Sequence, residues 1–129
     1  MTPAETAAES APVRGTVVGT WTPVCALADI EPVGGVAALV RGEAIAILRT
    51  HDGNVHAISN YDPCSRASVL ARGIVGSRGS VPVVSSPMHK QAFDLRTGQC
   101  LDDAAVRVPT YDVLVMDGTV LVGEVKEVR

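Results

Sequence analysis

Short apolar runs separated by turn residues follow one another along most of the chain, a pattern that predicts β-strands. Strands are predicted at 21–25, 35–40, 44–49, 54–59, 81–85, 92–95, 111–115 and 119–124. Two of the intervening turns contain Asp-Gly, at Asp52-Gly53 and Asp117-Gly118, which is typical of hairpins because glycine tolerates positive φ. Helical periodicity is weak, and only short turns are expected at 26–30 and 69–72. The predicted fold class is all-β, an antiparallel sandwich or barrel.

The ends of the chain differ from this pattern. Residues 1–19 are rich in Ala, Pro, Thr, Glu and Ser and show no apolar periodicity before Val17, so they are expected to form a flexible leader. The folded domain is predicted to span 20–125, followed by a tail at 126–129. Within the domain, Pro82 favours either an edge strand or the start of a strand for 81–85.

Composition excludes several functional classes. At 129 residues the chain has the size of one domain, and its net charge of −3 argues against general nucleic-acid binding. No run approaches the ~18 apolar residues of a membrane-spanning helix, and no secretory signal is readable. The three cysteines are scattered, which predicts free thiols in a reducing compartment. Cytoplasmic residence is therefore expected, without a nucleic-acid or membrane partner.

Two loops of the predicted sheet resemble the cluster-binding loops of a Rieske domain. Residues 63–73 follow the spacing C-x-H-R-G-x-x-L-x-x-G, and residues 86–98 follow C-P-x-H-G-x-x-F-D-x-x-x-G. The framework residues in step with these patterns are Arg66, Leu70, Gly73, Pro87, Phe93, Asp94 and Gly98. The resemblance implies a Rieske-like antiparallel β-sandwich or barrel that presents both loops at one site.

The four ligand positions of that site are occupied by Pro63, Ser65, Ser86 and His89. A Rieske centre needs two thiolates on one iron and two imidazoles on the other. Proline has no side-chain donor, and serine hydroxyls stay protonated at neutral pH, so only His89 can bind iron well. The sequence therefore predicts a retained scaffold without a redox centre: no catalytic, cofactor-binding or metal-binding residue is expected in this chain.

Basic residues cluster in and near the two loops. Arg66, Arg72, His89 and Lys90 are the candidate interface for an acidic partner surface, with scattered surface charge as the alternative. Cys64 stands next to Arg66, and a nearby cation can lower a thiol's pKa. A reactive Cys64, paired with His89 if the loops approach, is a further hypothesis.

Longer motifs point to one family among the proteins with Rieske-like domains. Residues 60–63 read Asn-Tyr-Asp-Pro, 69–76 read Val-Leu-Ala-Arg-Gly-Ile-Val-Gly, 86–95 contain Ser-Pro-Met-His-Lys-Gln-Ala-Phe, and 97–101 read Thr-Gly-Gln-Cys-Leu. In this order they resemble the small subunit of the assimilatory NAD(P)H-dependent nitrite reductase, over about residues 21–122. Many family members carry an aromatic residue where Cys64 stands, so the tip of the first loop departs from the family pattern.

The resemblance implies a non-redox small subunit of an oxidoreductase complex in nitrogen metabolism. Its partner would be a large catalytic subunit that carries FAD, siroheme and an iron–sulfur cluster and reduces nitrite to ammonium in nitrate assimilation. The small subunit would support or dock onto that subunit without supplying chemistry. Two alternatives stay open: a stand-alone binding or regulatory module on a Rieske scaffold, and a Rieske-type ferredoxin that carries electrons.

Overall fold

The computed structural model describes residues 21–126, so the predicted leader at 1–19 and most of the predicted tail lie outside the described residues. Antiparallel strands make up most of this region, and the all-β prediction is confirmed. The strands are β1 (Thr22–Ala26), β2 (Gly34–Val40), β3 (Glu43–Arg49), β4 (Val55–Ser59), β5 (Tyr61–Asp62), β6 (Ala67–Ser68), β7 (Ile74–Arg78), β8 (Val81–Ser85), β9 (Ala92–Asp94), β10 (Thr110–Met116) and β11 (Thr119–Val125). Two short 3₁₀ helices, Leu27–Asp29 and Leu70–Arg72, lie at the predicted turns. Among the described residues, no helix is long and apolar enough to cross a membrane.

Six strands form a barrel-like sheet in the order β1-β11-β10-β4-β3-β2, and the outer strands β1 and β2 contact each other, so that the sheet nearly closes. Two of its hairpins turn at Arg41-Gly42 and Asp117-Gly118, where both residues have positive φ. This is the backbone of a type I′ turn, whose twist matches that of the strands it connects. The hairpins predicted at Asp52-Gly53 and Asp117-Gly118 are confirmed, because β3 pairs antiparallel with β4 and β10 with β11.

The two loops that resemble cluster-binding loops belong to a smaller layer, which packs against this barrel. It consists of the sheet β7-β8-β9 and the two-stranded β5-β6 hairpin. Alternate residues of β3 explain how the layers fit: Ile45 and Ile47 face the barrel core, whereas Ala46 and Leu48 face a second core. That second core contains Leu70, Val84 and Phe93 among other residues, each fully buried. Because both faces of β3 are covered, its apolar run is nearly continuous.

Two features of the smaller layer differ from the sequence predictions. The edge-strand option for Pro82 is wrong, because β8 is the central strand of its sheet; Pro82 instead lies second in the strand, near its start. Its carbonyl accepts a hydrogen bond from the amide of Leu95 at 2.9 Å, an acceptor role that needs no N–H. The strand β7 and the β5-β6 hairpin were not predicted. These strands are short or mostly exposed, and they form through pairing with neighbouring strands.

Candidate functional site

The two loops that resemble cluster-binding loops meet in the structure. The first loop (residues 63–66) connects β5 to β6, and the second loop (residues 86–91) connects β8 to β9. The hydroxyl of Ser86, at the start of the second loop, donates a hydrogen bond of 2.5 Å to a carboxylate oxygen of Asp62, which immediately precedes the first loop. The expected approach of the two loops is therefore present, and Asp62 lies at their contact.

Asp62 is fully buried, with 0% of its surface exposed, and it accepts hydrogen bonds from both loops. Ser65 donates its hydroxyl to the same carboxylate oxygen as Ser86, at 2.9 Å. The amide of Cys64 donates to the other oxygen, also at 2.9 Å. Two of the four former ligand positions thus point their polar atoms at one carboxylate.

The charge state of Asp62 follows from these contacts. Burial favours the neutral acid and by itself raises the pKa, but the hydrogen bonds from Ser86, Cys64 and Ser65 stabilise the carboxylate. Their combined effect holds the pKa of Asp62 below its usual value. The residue is therefore ionised at neutral pH, and its negative charge is compensated by hydrogen-bond donors from the two loops.

The donor set of the loops does not fit a Rieske cluster. The hydroxyls of Ser65 and Ser86 are directed to Asp62, and Pro63 has no side-chain donor. His89 is exposed and supplies one imidazole, where two imidazoles and two thiolates are needed. Within residues 21–126, no group of three or more His, Cys, Asp or Glu side chains is arranged to hold a metal ion.

The backbone of the second loop nevertheless keeps a tight turn. Ser86 and Gln91 close it with a hydrogen bond from the amide of Ser86 to the carbonyl of Gln91 at 2.9 Å, and the amide of Lys90 donates to the carbonyl of Ser86 at 2.9 Å. Lys90 has a φ of 64°, in the left-handed region. The Rieske pattern has glycine at this position, the residue that adopts positive φ most easily. The turn therefore keeps a glycine-like backbone although a lysine occupies it.

All four candidate interface residues are exposed, and the structure places them around the meeting point of the loops. Arg66 lies on the first loop, and His89 and Lys90 lie on the second. Arg72 ends the second 3₁₀ helix, and the following Gly73 packs so closely against the end of β8 that an added Cβ would lie 2.4 Å from the Ser85 carbonyl. Arg72 therefore stands at the base of the second loop. None of the four forms an ion pair with another described residue.

Exposed apolar side chains lie near these basic residues and were not predicted from the sequence. Met88 at the tip of the second loop is 59% exposed, and Tyr61 before the first loop is 44% exposed. Ile74, at the start of β7, is 74% exposed. The surface around the loops therefore combines basic and apolar groups, the composition that protein interfaces favour over a purely charged surface.

Two buried polar residues were also missed as organisers of the site. Asn60 and Asp62 alternate along one extended segment. The side-chain oxygen of Asn60 accepts a hydrogen bond of 2.7 Å from the amide of Ala71, and its carbonyl accepts one from the amide of Leu70. Asn60 thus fixes the 3₁₀ helix that ends at Arg72. The signal was present in the Asn-Tyr-Asp-Pro motif, where two polar residues two positions apart share one side of a strand.

The expectation that Arg66 lowers the pKa of Cys64 is wrong, whereas the pairing of Cys64 with His89 stays a hypothesis. Burial of its thiol and the negative charge of Asp62 raise the pKa of Cys64, so the thiol is protonated at neutral pH. Arg66, which was expected to lower the pKa, follows two residues later in a backbone conformation with a φ of 60°. Burial of the thiol has the larger effect on the pKa, and the negative charge of Asp62 adds to it.

Comparison with known proteins agrees with this geometry. Residues 20–123 match the model of the Rieske-like [2Fe-2S] domain family. The NADH nitrite reductase small subunit of Salmonella typhimurium is 45% identical over 101 residues, which cover 78% of this chain and 94% of that protein. A crystal structure of a Mycobacterium tuberculosis protein assigned as an NADH-dependent nitrite reductase small subunit is 44% identical, with a TM-score of 0.79, and the match covers 86% of this chain and 100% of that one.

A third relative has a different architecture. The NAD(P)H nitrite reductase large subunit of Klebsiella oxytoca is 38% identical over 103 residues, which cover 80% of this chain but only 11% of that protein. In that protein, a domain similar to this chain is one segment of a much longer polypeptide.

Proposed function

The chain belongs to the nitrite reductase small-subunit family within the Rieske-like [2Fe-2S] domain fold, and we propose that it is the non-redox small subunit of an NAD(P)H-dependent nitrite reductase. One observation carries the proposal: at the ligand positions, Ser65 and Ser86 direct their hydroxyls to Asp62 and so do not form a metal-binding set. The subunit acts in the cytoplasm, in the assimilation of nitrate. Its large partner carries FAD, siroheme and an iron–sulfur cluster and reduces nitrite to ammonium.

The Klebsiella relative supports the partnership. There, a domain similar to this chain is covalently part of a protein named as the large subunit. A domain that is fused to its partner in one organism needs a binding surface when it is a separate chain in another. A separate small subunit must therefore present a complementary surface to the large subunit.

We place this surface at the two loops. The surface has four exposed basic residues that form no ion pair with a described residue: Arg66, Arg72, His89 and Lys90. Met88, next to His89, adds exposed apolar area. A partner with an acidic rim around an apolar contact would complement this arrangement. Charges at the rim mainly accelerate association and set its salt dependence, while apolar groups supply the central contact.

The test is binding of the purified chain to the large subunit at several salt concentrations. The variant Arg72→Gln/Lys90→Gln removes two positive charges from the loop surface. A matched control, Ala37→Glu/Met116→Glu, changes the net charge by the same amount at exposed positions on β2 and at the end of β10.

We expect the loop variant to bind roughly 5- to 30-fold more weakly, since each exposed charge pair contributes up to about 1 kcal/mol. The difference should shrink at high salt because surface charges are screened. The control should bind as the wild type does. Equal affinities for both variants would contradict the proposed surface.

A further inference from the structure

The Rieske pattern divides its ligands equally between two loops, one cysteine and one histidine on each. A bound cluster therefore also connects the loops, as a covalent link between distant parts of the chain. A protein that has lost three of these ligands needs another connection if the loops are to keep their arrangement.

We propose that the carboxylate of Asp62 replaces the cluster as the connection between the two loops, with Ser65 and Ser86 as its contacts on either side. One serine stands at a ligand position of the first loop, and the other stands at a ligand position of the second loop. Both hydroxyls donate to the same oxygen of Asp62, at 2.9 and 2.5 Å. The bond from Ser86 joins residues that are 24 positions apart in the sequence.

Burial and chemistry make this connection strong. Asp62 and Ser86 are both almost completely buried, with exposed fractions of 0% and 1%. Hydrogen bonds to an ionised carboxylate are shorter and stronger than those between neutral groups. Because water does not reach the carboxylate, the donors of the two loops must satisfy its charge, and opening the loops would leave it without partners.

The same hydroxyl also organises the second loop. The oxygen of Ser86 accepts a hydrogen bond from the amide of Met88 at 3.2 Å while its proton is donated to Asp62. Serine can serve both roles, whereas a thiol is a weak donor and a weak acceptor. This dual use explains why a serine suits the position once the metal is absent. The connection concerns the same loops as the proposed docking surface, but it is a property of the chain alone.

Amide hydrogen exchange of the isolated chain, followed by NMR, tests the connection without any partner. The variant Ser86→Ala removes a hydroxyl from the second loop, and the measured groups are the amides of Cys64 and Arg66 in the first loop. Those amides donate to the side chain and the carbonyl of Asp62, so Ser86 does not contact them directly. Faster exchange there, with β3 and β4 unchanged, reports transmission through Asp62.

We expect Ser86→Ala to accelerate exchange at both first-loop amides by about 10- to 100-fold, as expected for losing one hydrogen bond to a charged group. The reciprocal variant, Ser65→Ala, should accelerate exchange at the amide of Lys90. In both variants, the paired strands β3 and β4 should exchange as in the wild type. The control Ser68→Ala removes an exposed hydroxyl from β6 and should leave both loops unchanged.

Unchanged exchange in the first loop of Ser86→Ala would overturn the proposal. So would uniform acceleration that includes β3 and β4, because it would mean that Ser86 stabilises the fold as a whole. If the proposed docking function is wrong but the connection is real, the exchange pattern persists while binding to the large subunit is unaffected by the loop charges. The two proposals can therefore fail separately.

Discussion

Replacement of Gly98 by alanine should destabilise the domain far more than the same change at Gly118. The two glycines have nearly the same backbone conformation, with φ values of 81° and 78°. Their surroundings differ. A Cβ added at Gly98 would lie 1.9 Å from the carbonyl oxygen of Val108, whereas one at Gly118 would meet nothing within 4 Å.

The expected difference in the free energy of unfolding is estimated by separating the cost that both alanines share from the cost that arises only at Gly98. An alanine in the left-handed region costs about 1–2 kcal/mol at either position. The effect of alanine on the unfolded chain is also common to both, so it cancels in the comparison. At Gly98 the clash adds about 1–3 kcal/mol or more, because the neighbour is backbone. The amide of Gly98 also donates a hydrogen bond to the carbonyl of Asp94, and its carbonyl accepts one from the amide of Val108, so a shift there disturbs the turn after β9.

Urea unfolding of both variants, followed by the fluorescence of Trp21, the single tryptophan, measures the difference. Linear extrapolation gives the free energies of unfolding, provided that the slope m is unchanged. We expect Gly118→Ala to lose about 1–2 kcal/mol and Gly98→Ala to lose at least about 1 kcal/mol more. Losses that agree within about 0.5 kcal/mol would contradict this expectation, because they would leave no steric contribution at Gly98.

Three further predictions follow from the buried polar groups. Asn60→Ala leaves the amide of Ala71 without its acceptor and should cost about 1–3 kcal/mol in urea unfolding, while Asn54→Ala in an exposed turn should cost clearly less. Because the folded pKa of Asp62 is below its usual value, its carboxylate stabilises the fold above roughly pH 4, and this contribution is lost as the pH falls through the folded pKa. The stability difference between the wild type and Asp62→Asn should accordingly narrow in acid, and a difference independent of pH would contradict this assignment. Burial, with a smaller effect of Asp29, raises the pKa of Cys25 to about 11. Alkylation of Cys25 by iodoacetamide should therefore be slow at pH 7 and accelerate as the pH rises toward this pKa. Rapid labelling at neutral pH would show that the thiol is not shielded.

The fold was largely predictable because its hairpins are encoded locally. Arg41-Gly42 and Asp117-Gly118 each contain the glycine that a type I′ turn needs, and the flanking strands are rich in β-branched and apolar residues. The strand β7 lacked such signals: Gly76 and Ser77 are exposed, and the strand forms through pairing with β8. Pro82 misled the prediction for a related reason, since local chemistry does not reveal which strand lies in the middle of a sheet.

The candidate site likewise has some features that short sequence segments determine and others that only the fold creates. The loop positions and the loss of ligands could be deduced from spacing, because both are properties of short sequence segments. The Asn-Tyr-Asp-Pro motif marks Asp62 as a polar residue beside Asn60, but the contact of Asp62 with Ser86 could not be deduced, because the two residues are distant in the sequence and only the fold brings them together. The wrong expectation for the pKa of Cys64 also arose from proximity in sequence, which singled out Arg66, whereas burial of the thiol and the charge of Asp62 raise the pKa.

We propose that this Rieske-like scaffold serves a nitrite reductase without a cluster of its own. The most direct test is an ultraviolet–visible spectrum of the purified, anaerobically handled full chain, together with assays for iron and acid-labile sulfide. The expected result is a folded, colourless protein with no stoichiometric iron or sulfide. A stoichiometric cluster with visible absorbance would contradict it and would favour the electron-carrier alternative instead.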